Sequence, residues 1–463
     1  MKLDYKRVVF VGMAFFLISA FWQAYDSITP LILTNHFGLP QTASGAVMAI
    51  DNVLAVFLLP IFGAISDKKK TRFGKRTPFI FVGTLAAVIS FFSLTFIDNY
   101  QLSRVIKAGL STADRTTEAA SKEVLDLTLK LTLENPWPLV GFIATLLVVL
   151  ISMAIFRSPA VALMPDVTVK PLRSKANAII NLTGTAGGII ILVLGMVFGT
   201  SKNLYMQYTG FVGAVCGVML LGFVLFLVTV KENKWAEEME ADTIKYGIED
   251  SEENTAGGKL TKGEFKSLLL ILASVALWYI GYNSITSKYS VYATNILSFD
   301  FNLTLIVAQG AAIISYIPVG IIASKIGRRK TILAGVLMLA SAFTIGTFIT
   351  KESPEAIMFP IFALAGIGWA TINVNSFPMV VELAKKGDVG KYTGYYYTAS
   401  MAAQIVAPIF SAVFYDAFGM RYTFFTFGAA FVLGSFVTMF LVKHGDSKPI
   451  PSKSALELLD VDD

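Results

Sequence analysis

Twelve times along the chain, apolar residues run on for about 20 positions, enough for a helix rising 1.5 Å per residue to cross a hydrocarbon core about 30 Å thick. The runs fall at roughly 8–33, 44–65, 77–97, 138–163, 175–199, 207–230, 267–297, 303–324, 331–350, 356–383, 392–415 and 422–442. Lipid offers no partner to a backbone N–H or C=O, so each run has to satisfy its own peptide groups as a helix. Charged residues make up only 15% of 463 positions, against roughly 25% in a soluble domain. The expected fold is an all-α membrane protein with twelve transmembrane helices. The first run is too long for a signal-peptide core and lacks a small-x-small cleavage site, so it reads as a retained span.

The charge of the connecting loops sets the expected topology. Basic residues gather after the second, fourth, eighth and tenth runs, within 68–76, 170–175, 325–330 and 385–391. Cytoplasmic loops carry such an excess, which predicts a multi-pass protein of the cell membrane with both termini cytoplasmic. The net charge of +6 therefore reflects topology, and it does not form the continuous stripe that nucleic acid requires. Two polar segments should leave the bilayer. Residues 98–136 read as an outer-face insertion of one or two amphipathic helices. Residues 231–265, acidic and containing Gly257-Gly258, read as a cytoplasmic linker. That leaves six-helix halves at 1–230 and 266–442 and a cytoplasmic tail at 443–463.

Enzymatic chemistry finds little material here. Cys216 is the only cysteine, and the two histidines, His36 and His444, lie at opposite ends of the chain, so neither a disulfide nor a metal cluster is expected. No phosphate-binding glycine loop with its lysine, nucleophile elbow or metal motif occurs. A cofactor-free monomer in the lipid bilayer, driven by an ion gradient, is the expectation.

The two halves look duplicated. The stretch Gly63-Ala-Ile-Ser-Asp67-Lys-Lys-Lys-Thr-Arg72-Phe-Gly74-Lys-Arg76-Thr-Pro78 sits between two spans of the first half, and Gly320-Ile-Ile-Ala-Ser324-Lys-Ile-Gly327-Arg328-Arg329-Lys330 takes the equivalent place in the second. Ala162-Leu-Met-Pro165-Asp166 has its counterpart in Ser376-Phe-Pro378-Met-Val-Val-Glu382. Repeats of this kind build carriers whose halves enclose a cavity and alternate its access. Asp67, Arg72, Arg76 and Asp166 in the first copy, and Arg328 and Glu382 in the second, are the candidate gating residues.

The Gly63–Pro78 segment resembles the signature loop of the major facilitator superfamily. Four extra residues, Lys69 to Arg72, followed later by Thr77-Pro78-Phe79, give it the spacing of the sucrose/proton symporter branch and the neighbouring glycoside-pentoside-hexuronide:cation symporters. Thr29-Pro30, Gly38-Leu39-Pro40, Pro159-x-x-Ala162-Leu163-x-x-Asp166 and Gly368-Trp369-Ala370 through Gly390-Lys391-Tyr392-Thr393-Gly394 extend the likeness over essentially all spans. It implies import of a sugar, glycoside or oligosaccharide. Two departures stand out. Val161 occupies the place of an arginine in plant sucrose carriers, and Ala55 follows Asp51 where melibiose-type relatives carry a second aspartate for sodium.

Ionised groups inside a span cost roughly 2.5–3.5 kcal/mol each, so Asp26, Asp51 and Arg157 need a reason to be there. Counted along their helices, Asp26 and Asp51 lie about 10 and 12 Å from the outer ends of their spans. Acids sharing a depth suit a proton-coupling pair, with sodium as the alternative ion. Arg157, counted about 28 Å from the outer surface, pairs with neither by depth. Sugar sites combine aromatic faces with amides and hydroxyls. Candidates are Trp22, Gln23 and Tyr25 in the first span, Arg157 in the fourth, and Asn177 and Asn181 in the fifth. Tyr279, Tyr282 and Asn283 follow in the seventh, Gln309 in the eighth, Trp369, Asn373 and Asn375 in the tenth, and Gln404 in the eleventh. The set favours a neutral saccharide. A proton-driven exporter or flippase of amphiphiles is the alternative reading.

Overall fold

A computed structural model describes residues 3–69, 71–115, 117–169, 172–245, 260–381, 383 and 389–444. Among them, twelve helices are long and apolar enough to cross a membrane. The chain starts with α1 (Tyr5–Leu31), which runs on into a π-helical turn at Ile32–His36, then α2 (Gln41–Lys68), α3 (Thr77–Lys107), α4 (Glu118–Glu134), α5 (Trp137–Val167), α6 (Arg173–Phe198) and α7 (Thr209–Thr229). After these come α8 (Glu232–Lys245), α9 (Lys262–Thr286), the short α10 (Tyr289–Val291) leading into a π-helical turn at Tyr292–Leu297, α11 (Phe301–Ile326) and α12 (Arg328–Gly346). The last three are α13 (Met358–Val381), α14 (Val389–Phe418) and α15 (Met420–Phe440). Helices α4, α8 and α10 are not among the spans.

Two compact units result. One runs to Lys245 and takes in Ser287–Leu303; the other holds the rest of the described chain, from 260 to Thr286 and from Thr304 on. In the first unit α1 packs on α6 and α7, and α3 on α5; in the second α9 packs on α14 and α15, and α12 on α13. In span order these are the same pairs: first with fifth and sixth, third with fourth. The duplication seen in the loops is therefore a duplication of packing. Small residues let backbones approach, as membrane helices require; a Cβ on Gly187 would sit 2.5 Å from the Phe16 carbonyl oxygen.

The turn that follows each half's first span repeats as well. Both π-helical turns close with a residue in the left-handed region, Gly38 (φ 69°) and Ser298 (φ 60°). In each, an N–H reaches back six residues, from Leu39 to the Leu33 carbonyl at 3.0 Å and from Phe299 to Ala293 at 2.9 Å. It is one residue longer than the bond that commonly ends an α-helix through a left-handed residue, as the wider π-helical turn requires.

Two sequence boundaries need correction. The third span does not stop at 97, because Asp98 is fully buried against His36 (Nδ1 to Oδ1 2.6 Å) instead of facing water. The helix continues to Lys107, so the insertion begins inside it. The seventh run is not one span either. It breaks after Thr286 at the buried Lys288, whose Nζ donates to Ser44 Oγ at 2.6 Å, and the residues beyond pack with the first unit. The start of the linker is helix α8, which packs on α5. Glu382, most of the 385–391 loop, linker residues 246–259 and the tail from 445 lie outside the described residues.

Candidate functional site

In the first unit, α1, α2 and α5 bring five of the candidate residues together. Asp51 on α2 lies within electrostatic reach of Asp26 on α1 and of Arg157 on α5, and Tyr25 is close to both carboxylates. The Arg157 guanidinium stands 5.8 Å from the Trp22 ring centre, in cation–π range, and Trp22 meets Tyr25 edge to face at 5.3 Å. The Asp26 residue is exposed, while Asp51 and Arg157 are half-buried. Asp51 Oδ1 accepts from the backbone N–H and side-chain amide of Asn52 at 2.6 and 2.8 Å. Trp22 Nε1 and the Tyr25 hydroxyl are buried without a hydrogen-bond partner among the described residues.

Depth does not separate Arg157 from Asp51. Helix α5 has 31 residues, so at 1.5 Å each it is about 46 Å long and overruns a core of about 30 Å. Its first residue, Trp137, is 76% exposed, and counting from there places Arg157 too deep.

In the second unit the site candidates form an uncharged aromatic cluster. Tyr282 on α9 stacks on Trp369 of α13, with centres 3.7 Å apart and planes 8° apart, and Tyr279 meets the same indole edge-on at 5.2 Å. Tyr279 hydrogen-bonds Tyr396 of α14, which also bonds Ser376 at 2.9 Å. Asn373 hydrogen-bonds Tyr316 of α11. Other candidates are tied to their own helices: Asn283 donates to the Tyr279 carbonyl, Asn375 to Thr371 and Gln404 to Ser400. Gln23 likewise donates to Ser27, and Asn181 to Asn177. Gln309 is half-buried on α11.

The loop between α2 and α3 is organised by Arg76. Its side chain is almost fully buried, and it donates to Ser66 Oγ and Asp67 at the end of α2 and to Asp166 on α5, the last at 2.7 Å. Burial alone would lower its affinity for the proton. The hydrogen bonds and charges of Asp166 and Asp67 outweigh that and hold it above the ordinary arginine value, so it stays charged. Arg72 lies over the Phe73 ring at 4.6 Å. Arg328 is half-buried at the start of α12, and its neighbour Arg329 donates to the Met439 and Phe440 carbonyls that end α15.

The sequence and fold have counterparts among known proteins. The family model for the Major Facilitator Superfamily matches residues 11–315 and 289–459. The chain belongs to this superfamily. Its members are transporters and not enzymes, and the twelve spans agree with that. Among curated proteins, this facilitator is 35% identical over 89 residues to the human proton-associated sugar transporter A, a match covering 19% of the chain and 11% of that protein. The matched stretch thus spans about a tenth of the relative's length. Among solved structures, the xylose transporter XylE from E. coli superposes with a TM-score of 0.64 at 13% identity, covering 98% of this chain and 99% of that one. A peptide transporter, POT, gives the same TM-score at 12% identity, covering 95% and 98%. A sugar carrier and a peptide carrier fit equally well, so the fold match does not select a cargo.

Two features of this facilitator escape a sequence reading. His36 and Asp98 form a buried pair with no exposed surface, flanked by Tyr205 and Tyr208. Burial and the nearby Asp98 push the Tyr208 hydroxyl pKa up. The second feature is Glu232, at the start of α8, whose carboxylate meets the Arg76 loop. An acid at the boundary of an apolar run was the only signal for Asp98, and the absence of a capping side chain before Thr77-Pro78 was the only one for Glu232.

Proposed function

We propose that this facilitator imports a neutral saccharide or glycoside together with a proton by alternating access, with both termini on the cytoplasmic side of the cell membrane. The observation that carries the reading is the grouping of Asp26, Asp51 and Arg157 with the open donors Trp22 Nε1 and Tyr25 Oη. Two acids with one cation can take up and give back a single proton without stranding a second charge in lipid. Hydroxyl-rich cargo supplies acceptors for the open donors. The second unit, taken by itself, holds aromatic faces and amides, which suit the C–H face and hydroxyls of a sugar ring. The matched segment of the human proton-associated sugar transporter supports the same reading.

A thermal-shift screen of the purified protein against a sugar library, repeated across pH, tests the cargo. Saccharides that stabilise the protein support the proposal. Stabilisation by lipids or hydrophobic drugs alone would instead favour an exporter of amphiphiles, for which the Tyr282–Trp369 stack is also a fitting surface. Proteoliposome uptake of the selected saccharide under proton and sodium gradients then separates the coupling ions.

A further inference from the structure

Glu232 is a buried carboxylate that accepts four hydrogen bonds. It is 4% exposed and belongs to the first residue of α8, where the linker begins. Oε1 accepts the backbone N–H groups of Lys75 and Arg76 at 2.6 and 2.8 Å; Oε2 accepts the Thr77 N–H at 2.8 Å and its hydroxyl at 2.7 Å. Those N–H groups lead into α3, whose N-cap is Arg76 and has no side-chain cap of its own. Glu232 supplies from 155 residues away what a local Ser or Asp usually supplies, and it adds negative charge at the positive end of the helix dipole. Its neighbour Asn233 reads the complementary groups, donating to the Thr71 and Arg72 carbonyls at 3.2 and 3.0 Å.

The loop is shaped for this grip. Gly74 has φ 119°, and a Cβ there would lie 2.1 Å from Glu232 Oε2, so only glycine admits the carboxylate. Helix α8 is held independently by Trp235, which has the Arg7 guanidinium 4.9 Å from its ring centre, and by Glu238, which pairs with Arg7. The backbone that Glu232 fixes is the backbone that carries Arg76. Displacing it by an ångström would take the guanidinium off Ser66, Asp67 and Asp166, because charge-assisted bonds tolerate little misalignment.

We propose that Glu232 and Asn233 are positioning residues of the transport loop: the first turn of the linker helix grips residues 71–77 through their backbone and thereby sets Arg76 across the ends of α2 and α5. The inference needs only membership of the superfamily, not the saccharide reading.

Cysteine labelling tests it without a substrate. Ser158 lies where α2 and α5 touch, its Oγ 2.9 Å from the Cβ position of Gly63. With Cys216→Ser, the Ser158→Cys protein has one reporter, read by its rate of reaction with N-ethylmaleimide in detergent. The buried Cys216 of the otherwise native protein reports general loosening. Glu232→Ala should speed labelling at position 158 about tenfold and Glu232→Gln about threefold, since the amide keeps one acceptor. Labelling of Cys216 should stay within about twofold. Adding Glu232→Ala to Arg76→Ala should produce no further change, as expected when one residue acts through the other. Equal acceleration at both reporters, no acceleration, or additive effects would each overturn the proposal. Should Glu232→Ala fail to fold, Asn233→Ala carries the same test, with an expected rise of about threefold at position 158 alone.

Discussion

Where the first unit's leading span brings Trp22, Tyr25 and Asp26 to Asp51 and Arg157, the second unit's leading span brings Tyr279 and Tyr282 to Trp369, with Tyr316, Asn373 and Tyr396 bonded around them. The helix pairings match, yet the chemistry does not. Helix α13 contains no charged residue, and α9, α11 and α14 carry theirs only near the ends, at Lys262, Glu264, Lys266, Lys325, Lys391 and Asp416. Duplication fixed the scaffold and left the side chains free to diverge. One unit has the material for holding and passing a proton, and the other has the material for gripping a ring.

That division makes distinct predictions for each side. The largest effect should come from the charged side. Asp26→Asn and Asp51→Asn should each remove saccharide accumulation against a gradient in proteoliposomes, while counterflow exchange continues. Wild-type accumulation by both variants would take these acids out of coupling. On the aromatic side, Trp369→Ala should raise the KM about tenfold, from loss of stacking and its buried area, with the number of protons per saccharide unchanged. A change in that number would erase the division. Tyr282→Phe keeps the stack and removes one hydroxyl, so its KM should rise by no more than about threefold.

The repeated caps offer a smaller and independent comparison. A Cβ on Gly38 would meet the Leu129 backbone nitrogen at 2.3 Å, besides having to adopt a positive φ, so Gly38→Ala should destabilise the protein by about 3 kcal/mol or more. Ser298 holds the same conformation with a side chain present, and Ser298→Gly should stabilise by about 0.5 kcal/mol. Thermal unfolding in detergent reads both. Opposite signs are the expectation, and a shared sign would mean that the two caps are not equivalent.

The span count, the helical class and the duplication were readable because lipid imposes length and apolarity on every crossing segment. The grouping of charged candidates was only partly readable. Sequence distance along α5 misplaced Arg157, because a helix longer than the bilayer does not say which end protrudes. Asp98 reads as a surface residue, since its partner, His36, lies 62 positions away. Glu232 left still less trace. Three of its four partners are backbone N–H groups, which every residue but proline possesses, and the fourth is the hydroxyl of Thr77, so little in the loop's side chains announces the contact. The amides Asn283, Asn375 and Gln404 show the converse: polar side chains that looked free for a ligand donate to carbonyls of their own helices.

Proton movement during transport tests the division of labour most directly. In vesicles loaded with a pH-sensitive dye, adding the saccharide selected by the screen should acidify the lumen for the wild-type protein. Trp369→Ala should do so with the same acidification per saccharide taken up, and Asp26→Asn should not acidify it at all. Acidification by the Asp26→Asn, Asp51→Asn double variant at the wild-type ratio would contradict the account.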